Sequence, residues 1–301
     1  MTIAAAIIVI LATLFDWFEF SENVFRNIAL GLAALLLAAV IQAKAELRLQ
    51  RDASNTLNAE LREWRQGLRM IGAEIDPSDI SRRLQATLQN SSRWAFSGGT
   101  GSWQRTNVLP MLSKITETDV AYHMQVVNIL DQKLCDAYAH YRMTCNQTTG
   151  ITGRSLALEI LSSVLAVCWY GALTRIEPIV CFTTDYSPLR YDMSELECFI
   201  TVANRSDPAL AFGSNSWIFS HLEDEFTQDS KTLPRLDLSH AFSALRSRGK
   251  DPGLLRSDEV RALLDGVKVI SGNSRKNLIR ELQISDDEMQ TIWERSGVST
   301  G

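Results

Sequence analysis

The chain has 301 residues, an apolar fraction of 46% and a formal net charge of −5. This length fits one large domain or two domains of ordinary size. The acidic balance, with a pI of about 5.5, argues against a protein dedicated to nucleic acid, because such proteins normally carry clustered positive charge. We therefore expect no dedicated nucleic-acid binding.

The cysteine content points to a reducing compartment. There are five cysteines, an odd number, and none belongs to a CxxC pair. Three of them lie in apolar surroundings, where a reduced thiol packs as a small hydrophobic group. Structural thiols in a cytoplasmic domain are the expectation for Cys135, Cys145, Cys168, Cys181 and Cys198.

Two apolar runs near the N-terminus predict a membrane anchor. Residues 3–15 are nearly all apolar, and residues 27–43 are apolar and uncharged. A membrane-spanning helix needs about 20 residues, with a lower limit near 17. The second run meets that limit, and the first meets it when extended to Phe18 or Phe20. The simplest interpretation is a transmembrane hairpin over residues 1–43, and the alternative is a single span preceded by an interfacial helix.

The basic residues around these runs predict the orientation. Lys44, Arg48 and Arg51 follow the second run at once, whereas the link between the runs holds only Arg26. Cytoplasmic flanks carry the excess of Lys and Arg. We therefore expect both termini in the cytoplasm and the lipid bilayer as a partner.

A charged, proline-free stretch over residues 44–76 predicts a helical stalk. Leu57, Leu61, Trp64 and Leu68 form one apolar stripe at helical spacing. One interpretation is a short coiled coil that pairs subunits, which makes the protein a homo-oligomer. The other is a helix lying on its own domain.

The pattern over residues 77–245 predicts a cytoplasmic α/β domain. Short β-branched and apolar runs alternate with helical patterns, which favours a sheet covered by helices in an α/β sandwich. The predicted strands cover 94–96, 122–130, 176–182, 198–202 and 209–212, and the predicted helices 78–89, 107–115, 131–143, 153–173 and 216–226. Because Arg154 and Glu159 lie within the most apolar of these helices, we expect a buried core helix and not a third span.

Residues 246–301 predict a small helical C-terminal tail. After a polar linker, helices are expected over 257–267, 274–282 and 286–295. The apolar spacing of the last two resembles half of a helix-turn-helix, but the segment is rich in acidic residues. Packing or protein contact is therefore favoured over DNA binding.

One stretch has the composition of a binding site. Ser97, Gly98, Gly99, Thr100 and Gly101 follow an apolar strand and precede a helix. Glycines let the backbone approach a ligand closely, and N–H groups at a helix start attract anions. Arg105 adds a fork of donors. The stretch is neither a P-loop nor a dinucleotide fingerprint, so a structural turn without a ligand stays open beside an anion or phosphate cradle.

A second candidate is Arg190, in the Arg190-Tyr191-Asp192 stretch after Pro188. Read as a loop, this stretch either contacts a polar ligand or forms an internal arginine–carboxylate pair. No catalytic or metal residue is assigned. The four histidines form no HxH, HxxxH or HExxH pattern, and the chain has no GxSxG elbow.

The stretch from Trp94 to Gly101, with Arg105 and Leu109-Pro110, resembles a poorly characterised bacterial group of membrane-anchored proteins. Their cytoplasmic domain is distantly similar to phospholipase D-like folds, and the resemblance covers roughly residues 80–230. Phospholipase D-like enzymes carry HxKxxxxD, in which histidine is the nucleophile. No histidine here has lysine two positions on, so the resemblance implies a binding fold without the catalytic apparatus. The layout also resembles that of anti-phage effectors, whose spans disturb the bacterial inner membrane.

These observations favour a membrane-anchored sensor or effector. Its cytoplasmic domain is expected to bind an anionic, nucleotide-like ligand or a partner protein and to signal to the transmembrane hairpin, in a role such as anti-phage defence. No cofactor is implied, and the lack of a catalytic motif argues against an enzyme. The alternatives are a phosphodiesterase-type hydrolase at the membrane surface and a non-catalytic membrane scaffold.

Overall fold

The computed structural model describes residues 72–115, 118–146, 149–204, 206–248 and 257–298. The predicted transmembrane hairpin and the apolar stripe of the predicted stalk lie outside these residues. By their internal contacts, the described residues belong to one compact unit. The described part of that unit is a mixed α/β fold built on one large sheet.

The sheet has ten strands in the order β1-β7-β6-β5-β2-β3-β4-β8-β9-β10. Numbered along the chain, they are β1 Ala73–Ile75, β2 Arg93–Ser97, β3 Val120–Val127, β4 Ile176–Thr183, β5 Leu189–Met193, β6 Glu197–Val202, β7 Ala209–Gly213, β8 Arg235–Asp237, β9 Lys268–Ser271 and β10 Ser274–Asn277.

Three parallel strands form the middle of the sheet. Strand β2 pairs with β3 and β3 pairs with β4, both in parallel, while all the other neighbours are antiparallel. The carboxyl ends of β2, β3 and β4 therefore meet at one edge. In open α/β sheets this is the edge at which ligands usually bind.

Helices cover both faces of the sheet. Numbered along the chain, they are α1 Pro77–Leu88, α2 Leu109–Leu112, α3 Gln132–Asn146, α4 Gly153–Leu173, α5 Trp217–Thr232, α6 Ser239–Arg248, α7 Ser257–Asp265, α8 Leu278–Leu282 and α9 Asp286–Arg295. A π-helical turn, Gln104–Val108, runs directly into α2.

The strand alternation separates two apolar clusters. Trp94 and Phe96 of β2 belong to the large cluster, together with residues of α1 to α4 and α6 to α9. Ala95 lies between them in sequence and belongs to the second cluster, which is covered by α5 through Phe219 and Phe226 among others. Period-two alternation along one strand thus distributes side chains to both layers.

Helix α4 is the centre of the large cluster. It begins at a capping box in which Thr152 and Ser155 exchange hydrogen bonds, satisfying donors that a helix start leaves free. Among the described residues it is the helix with the length and apolar character of a membrane span, and 83% of its most apolar window is buried inside the domain. The prediction of a buried core helix at this position is confirmed.

The C-terminal segment differs from the prediction of helices alone. Residues 274–277 form β10, which pairs with β9, and only Leu278–Leu282 is helical. The Asn277 side chain caps that helix by accepting from Arg280 N at 2.8 Å. Strand β9 also pairs with β8, so the segment extends the main sheet. The prediction of a helix beginning at residue 274 is wrong, because strand pairing outweighs the weak helical pattern of these residues.

Four more elements were not predicted. Strand β5 includes the stretch read as a loop, β1 lies within the stretch predicted as a helical stalk, β8 is three residues long, and helix α6 runs into the stretch read as a polar linker. The alternation of Leu189, Tyr191 and Met193 with Arg190 and Asp192 is a strand signal, although the charges and the preceding Pro188 suggest a loop. The five cysteines are free thiols, as predicted.

Candidate functional site

The glycine loop lies at the carboxyl edge of β2 and continues its pairing with β3. Gly98 N donates to the Gln125 carbonyl at 3.1 Å, and Val127 N donates to the Gly99 carbonyl at 3.1 Å. Gly101 has a φ of +68°, which favours glycine because side chains with a Cβ clash there. The chain then enters the helical turn that leads to α2.

The middle of the loop is packed tightly against a helix. A Cβ atom at position 99 would overlap the hydroxyl and ring of Tyr138 from α3. Gly99, Thr100 and Gly101 are buried, while Ser97 and Gly98 are half-buried. At position 99, glycine is therefore required by close packing of the protein itself.

The inner half of the loop joins a buried polar network. Thr100 Oγ1 donates to Glu159 Oε1 at 3.1 Å, and Arg142 Nη1 donates to Glu159 Oε2 at 2.8 Å. Ser163 Oγ donates to the Thr100 carbonyl at 2.8 Å. Glu159 and Ser163 lie on α4, so the network ties the loop to the central helix.

Arg105 points into the same network. It is 8% exposed, and its Nη1 donates to Ser163 Oγ at 3.0 Å. Its Nε donates to the carbonyl oxygen of Arg295 at 2.8 Å, at the end of α9. These donors are therefore used within the protein.

Charge pairing keeps this network ionised. Burial by itself raises the pKa of Glu159, but Arg142, Arg105 and the hydrogen bond from Thr100 outweigh it and lower the pKa. Burial lowers the pKa of Arg105, opposed by Glu159, and an arginine stays charged throughout the normal pH range. The inner half of the loop thus belongs to a partly buried ion-pair network that links α3, α4 and α9.

The outer half of the loop meets Arg190. A Cβ at position 98 would lie 3.2 Å from Arg190 Cγ, so the two residues are in close proximity. Ser97 pairs with Tyr191 in the antiparallel β2–β5 ladder. Because the two strands run in opposite directions, Arg190, which precedes Tyr191, lies beside Gly98, which follows Ser97. Ser97, Gly98 and Arg190 are all half-buried and therefore partly open to solvent.

Three tyrosines gather at the same edge of the sheet. The ring centroids of Tyr138, Tyr141 and Tyr186 are 5.4–6.1 Å apart, a distance at which aromatic rings attract each other. Burial raises the pKa of Tyr141, whose hydroxyl donates to the Pro188 carbonyl at 3.4 Å. Tyr186 is half-buried, and burial raises its pKa. Neutral hydroxyls and ring faces therefore stand next to the outer half of the loop.

The structure thus divides the seven predicted ligand residues into two groups. Ser97, Gly98 and Arg190 stand together on the accessible side, while Gly99, Thr100, Gly101 and Arg105 are buried in the interior. Ligand binding by the loop stays a prediction. Of the predicted residues, the outer group alone is open to a ligand, and the three tyrosines beside it were not singled out from the sequence.

Sequence reasoning also missed a buried carboxyl group. Asp192 is 4% exposed, and its Oδ1 accepts from Gln104 Nε2 at 2.6 Å. Tyr122 donates to Gln104 Oε1 at 3.3 Å. Burial raises the pKa of Asp192 to about 6, in spite of the bond from Gln104. The sequence suggested that Asp192 pairs with Arg190. In the structure, Asp192 accepts its hydrogen bond from Gln104 in the π-helical turn.

A cavity of about 140 Å³ lies on the other face, between the sheet and α5. His123 lines it beside Phe226, and its Nε2 is 3.7 Å from Cys181 Sγ. Burial and Arg235 lower the pKa of His123 to about 4, and burial raises the pKa of Cys181 to about 11. Both groups are therefore neutral near pH 7, which is unsuited to a nucleophilic thiolate.

The described residues contain no group of three or more His, Cys, Asp or Glu side chains arranged to hold a metal ion. His221 is exposed on α5, whereas Arg105 lies in the layer on the opposite side of the sheet. The sheet therefore separates His221 from Arg105.

Comparison with known proteins gives little further information. No protein-family model and no curated protein matches the chain. A solved structure of TrmBL2, an archaeal chromatin protein described as showing a novel mode of DNA binding, is 11% identical. The match covers 67% of this chain and 69% of that one, at a TM-score of 0.32. A likeness at this level carries no argument about the activity of this chain.

The expectation of no dedicated nucleic-acid binding is corrected here, because it rested on the net charge alone. Net charge sums over the whole chain and does not describe how charge is distributed over the surface. The exclusion of nucleic acid is therefore withdrawn.

Proposed function

We propose that the α/β domain is the sensing part of a membrane-anchored protein and binds an anionic, nucleotide-like ligand. The binding site is the outer half of the glycine loop with Arg190. The observation that carries this proposal is the close approach of Arg190 to Gly98 at the carboxyl edge of β2. The membrane anchor of the proposal rests on the two apolar N-terminal runs.

The chemistry of this edge suits a phosphate joined to a flat ring. A guanidinium presents a fork of donors that matches two oxygens of a phosphate. Gly98 has no side chain between the backbone and such a ligand. Tyr186 adds a partly open ring face on which a base can stack, and its neutral hydroxyl is a hydrogen-bond donor.

The same edge offers a route for the signal to travel. Tyr138 contacts Gly99, and Arg142 on the same helix holds Glu159. A ligand that moves the outer loop therefore acts on α3 and, through Glu159, on α4. In this proposal the altered packing is transmitted to the N-terminal membrane segment, as in an effector that disturbs its membrane.

The test is ligand binding by the full chain in detergent or nanodiscs. The probes are ATP, GTP, cyclic AMP and cyclic GMP, with inorganic phosphate alone as a minimal anion. A ligand that binds only the folded state raises the unfolding temperature. We expect at least one nucleotide to do so, and Arg190→Ala to weaken its binding at least tenfold.

Arg82→Ala is the matched control, because Arg82 is exposed on α1 and its one ion pair among the described residues is with the nearby Asp79. It removes the same charge away from the loop and should leave binding unchanged. Tyr186→Leu removes the ring on which a base would stack, so it should weaken the binding of nucleotides more than the binding of inorganic phosphate. If no nucleotide binds at millimolar concentration, or if Arg190→Ala binds as well as the parent, the proposal is wrong.

A further inference from the structure

At the β8–β10 end, the described residues leave one face of the sheet without a packed apolar layer. Within the described residues, the cluster under α5 draws on β2, β5, β6, β7 and α5, and on none of β8, β9 and β10. Leu236 and Val269 point the opposite way, into the large cluster. The side chains that alternate with them therefore face solvent.

Three of the six strand residues on this face are basic and one is acidic. Arg235 pairs in register with Ile270, and Ile270 pairs with Arg275, so the three residues form one row across the strands. Lys268 lies two positions from Ile270 and shares its face. Arg235, Lys268 and Arg275 are exposed.

The described residues neutralise the positive charge on this face only in part. None of the three cations takes part in an ion pair of 4.0 Å or less with another described residue. One acid, Asp237, shares this face: it pairs in register with Lys268, and its pKa is lowered first by hydrogen bonds from Ser239 and then by Arg275 and Lys268. The face therefore carries three cations and one acid. Residues 268–277 contain three cations and no acid.

We infer that this face, with Arg235, Lys268 and Arg275, binds the phosphate backbone of a double-stranded nucleic acid. Neighbouring strands are about 4.8 Å apart, so the two arginines of the row flank a span of about 10 Å. Successive phosphates of a nucleic-acid strand lie within that reach. The inference is independent of the site proposed at Arg190.

The shape of the element favours a duplex. Strands β9 and β10 form a hairpin closed at Gly272, which has a φ of +55° and no atom within 4 Å of a Cβ position. A two-stranded ribbon with an open tip fits the major groove of a duplex. Lys276 pairs in register with Val269 and lies 4.0 Å from Glu281 Oε2, so it belongs to the opposite face and is not part of this surface.

Two other anionic partners fit this face less well. An anionic membrane surface is contacted best where exposed apolar side chains accompany the basic ones. The large exposed hydrophobic residues in the described chain, Leu196 and Trp217, lie near β5–β6 and β7, in the other half of the sheet. An acidic peptide needs apolar pockets for its anchors, and this face offers only the half-buried Ile270.

The test is fluorescence anisotropy of a labelled 20-base-pair DNA duplex with the full chain, at several salt concentrations. We expect binding that weakens steeply with salt. The triple variant Arg235→Ala, Lys268→Ala, Arg275→Ala should bind at least tenfold more weakly and should show a shallower salt dependence, since each lost phosphate contact removes about 0.9 from the slope.

The matched control removes three exposed cations from the opposite layer, as Arg82→Ala, Lys114→Ala, Lys133→Ala. It changes the net charge equally and should retain binding. Arg275→Glu is a second variant, at an exposed position of the hairpin, and should also weaken binding. Thermal unfolding of each variant reports whether it is folded.

Three results would overturn the inference: no duplex binding at 50 mM salt, equal losses in the test and control variants, or binding to phosphatidylserine vesicles or poly-glutamate in preference to the duplex. The nucleotide site is assessed separately. A triple variant that still binds nucleotide but not duplex supports two independent sites, and loss of nucleotide binding in Arg190→Ala leaves the duplex result unaffected.

Discussion

The Nε of Arg105 donates a hydrogen bond of 2.8 Å to the carbonyl oxygen of Arg295. This bond joins the turn that follows the glycine loop to the last helix of the described chain. Carbonyl groups at a helix C-terminus lack partners within the helix, and Arg105 supplies one. The residue with the strongest sequence case for anion binding is thus engaged in holding the C-terminal helices to the domain.

Replacing Arg105 should therefore reduce stability. We expect Arg105→Ala to lower the free energy of unfolding by about 2–3 kcal/mol, because bonds from a charged donor are lost and buried acceptors are left unpaired. Arg105→Lys should recover little, since one ammonium cannot reproduce the fork of donors. Urea unfolding followed by tryptophan fluorescence measures the change.

Arg82→Ala serves as the control, because exposed positions usually change stability by less than about 0.5 kcal/mol. Unchanged stability in Arg105→Ala, together with lost nucleotide binding, would contradict the structural role and return Arg105 to the ligand site.

Gly99 should not tolerate a side chain. A methyl group there would overlap Tyr138, and forcing extra atoms into a packed site costs about 1–3 kcal/mol. We expect Gly99→Ala to unfold at lower urea concentration. Gly213→Ala is the control, because the neighbour nearest to its Cβ is the far end of the Asn215 side chain, at 3.0 Å.

The cause can be checked with a double variant. Removing the ring by Tyr138→Ala should make the further change Gly99→Ala nearly neutral, which a double-mutant cycle detects as a coupling free energy. Additive effects of the two changes would show that contact with Tyr138 is not the reason for glycine at this position.

Asp192 should make stability depend on pH. Its pKa is raised from an ordinary value of 3.8 to about 6 by burial. The folded state therefore holds the proton of Asp192 more tightly than the unfolded state does. This difference adds on the order of 3 kcal/mol to the free energy of unfolding below pH 4, and the added stability is lost as the pH rises through 6.

Asp192→Asn keeps an oxygen acceptor for Gln104 but cannot ionise. The difference in unfolding free energy between parent and variant should shift in favour of the variant as the pH is raised from 4 to 7. Burial of His123 acts in the opposite sense over pH 4 to 6.5, because its pKa is lowered, and the subtraction removes that effect. A difference that does not change with pH would refute the assignment.

Much of the fold follows from local patterns. The helix over Gly153–Leu173 and the strands around β2, β3 and β4 were predicted from apolar periodicity, which depends only on neighbouring residues. The glycine loop was correctly located between a strand and a helical segment for the same reason. Short strands such as β8, and β10 with its polar sequence, were missed because they are stabilised by pairing with distant segments.

The sequence by itself determined where glycine, arginine and apolar segments occur, and hence the α/β class and the position of the loop. Only the tertiary structure decided which way each side chain of the loop faces. Thr100 and Arg105 turn inward because Glu159, Ser163 and the carbonyl of Arg295 complete their hydrogen bonds in the interior. Arg190 reaches the outer side of the loop because β5 pairs with β2. Such pairing joins residues almost a hundred positions apart, which no local pattern encodes.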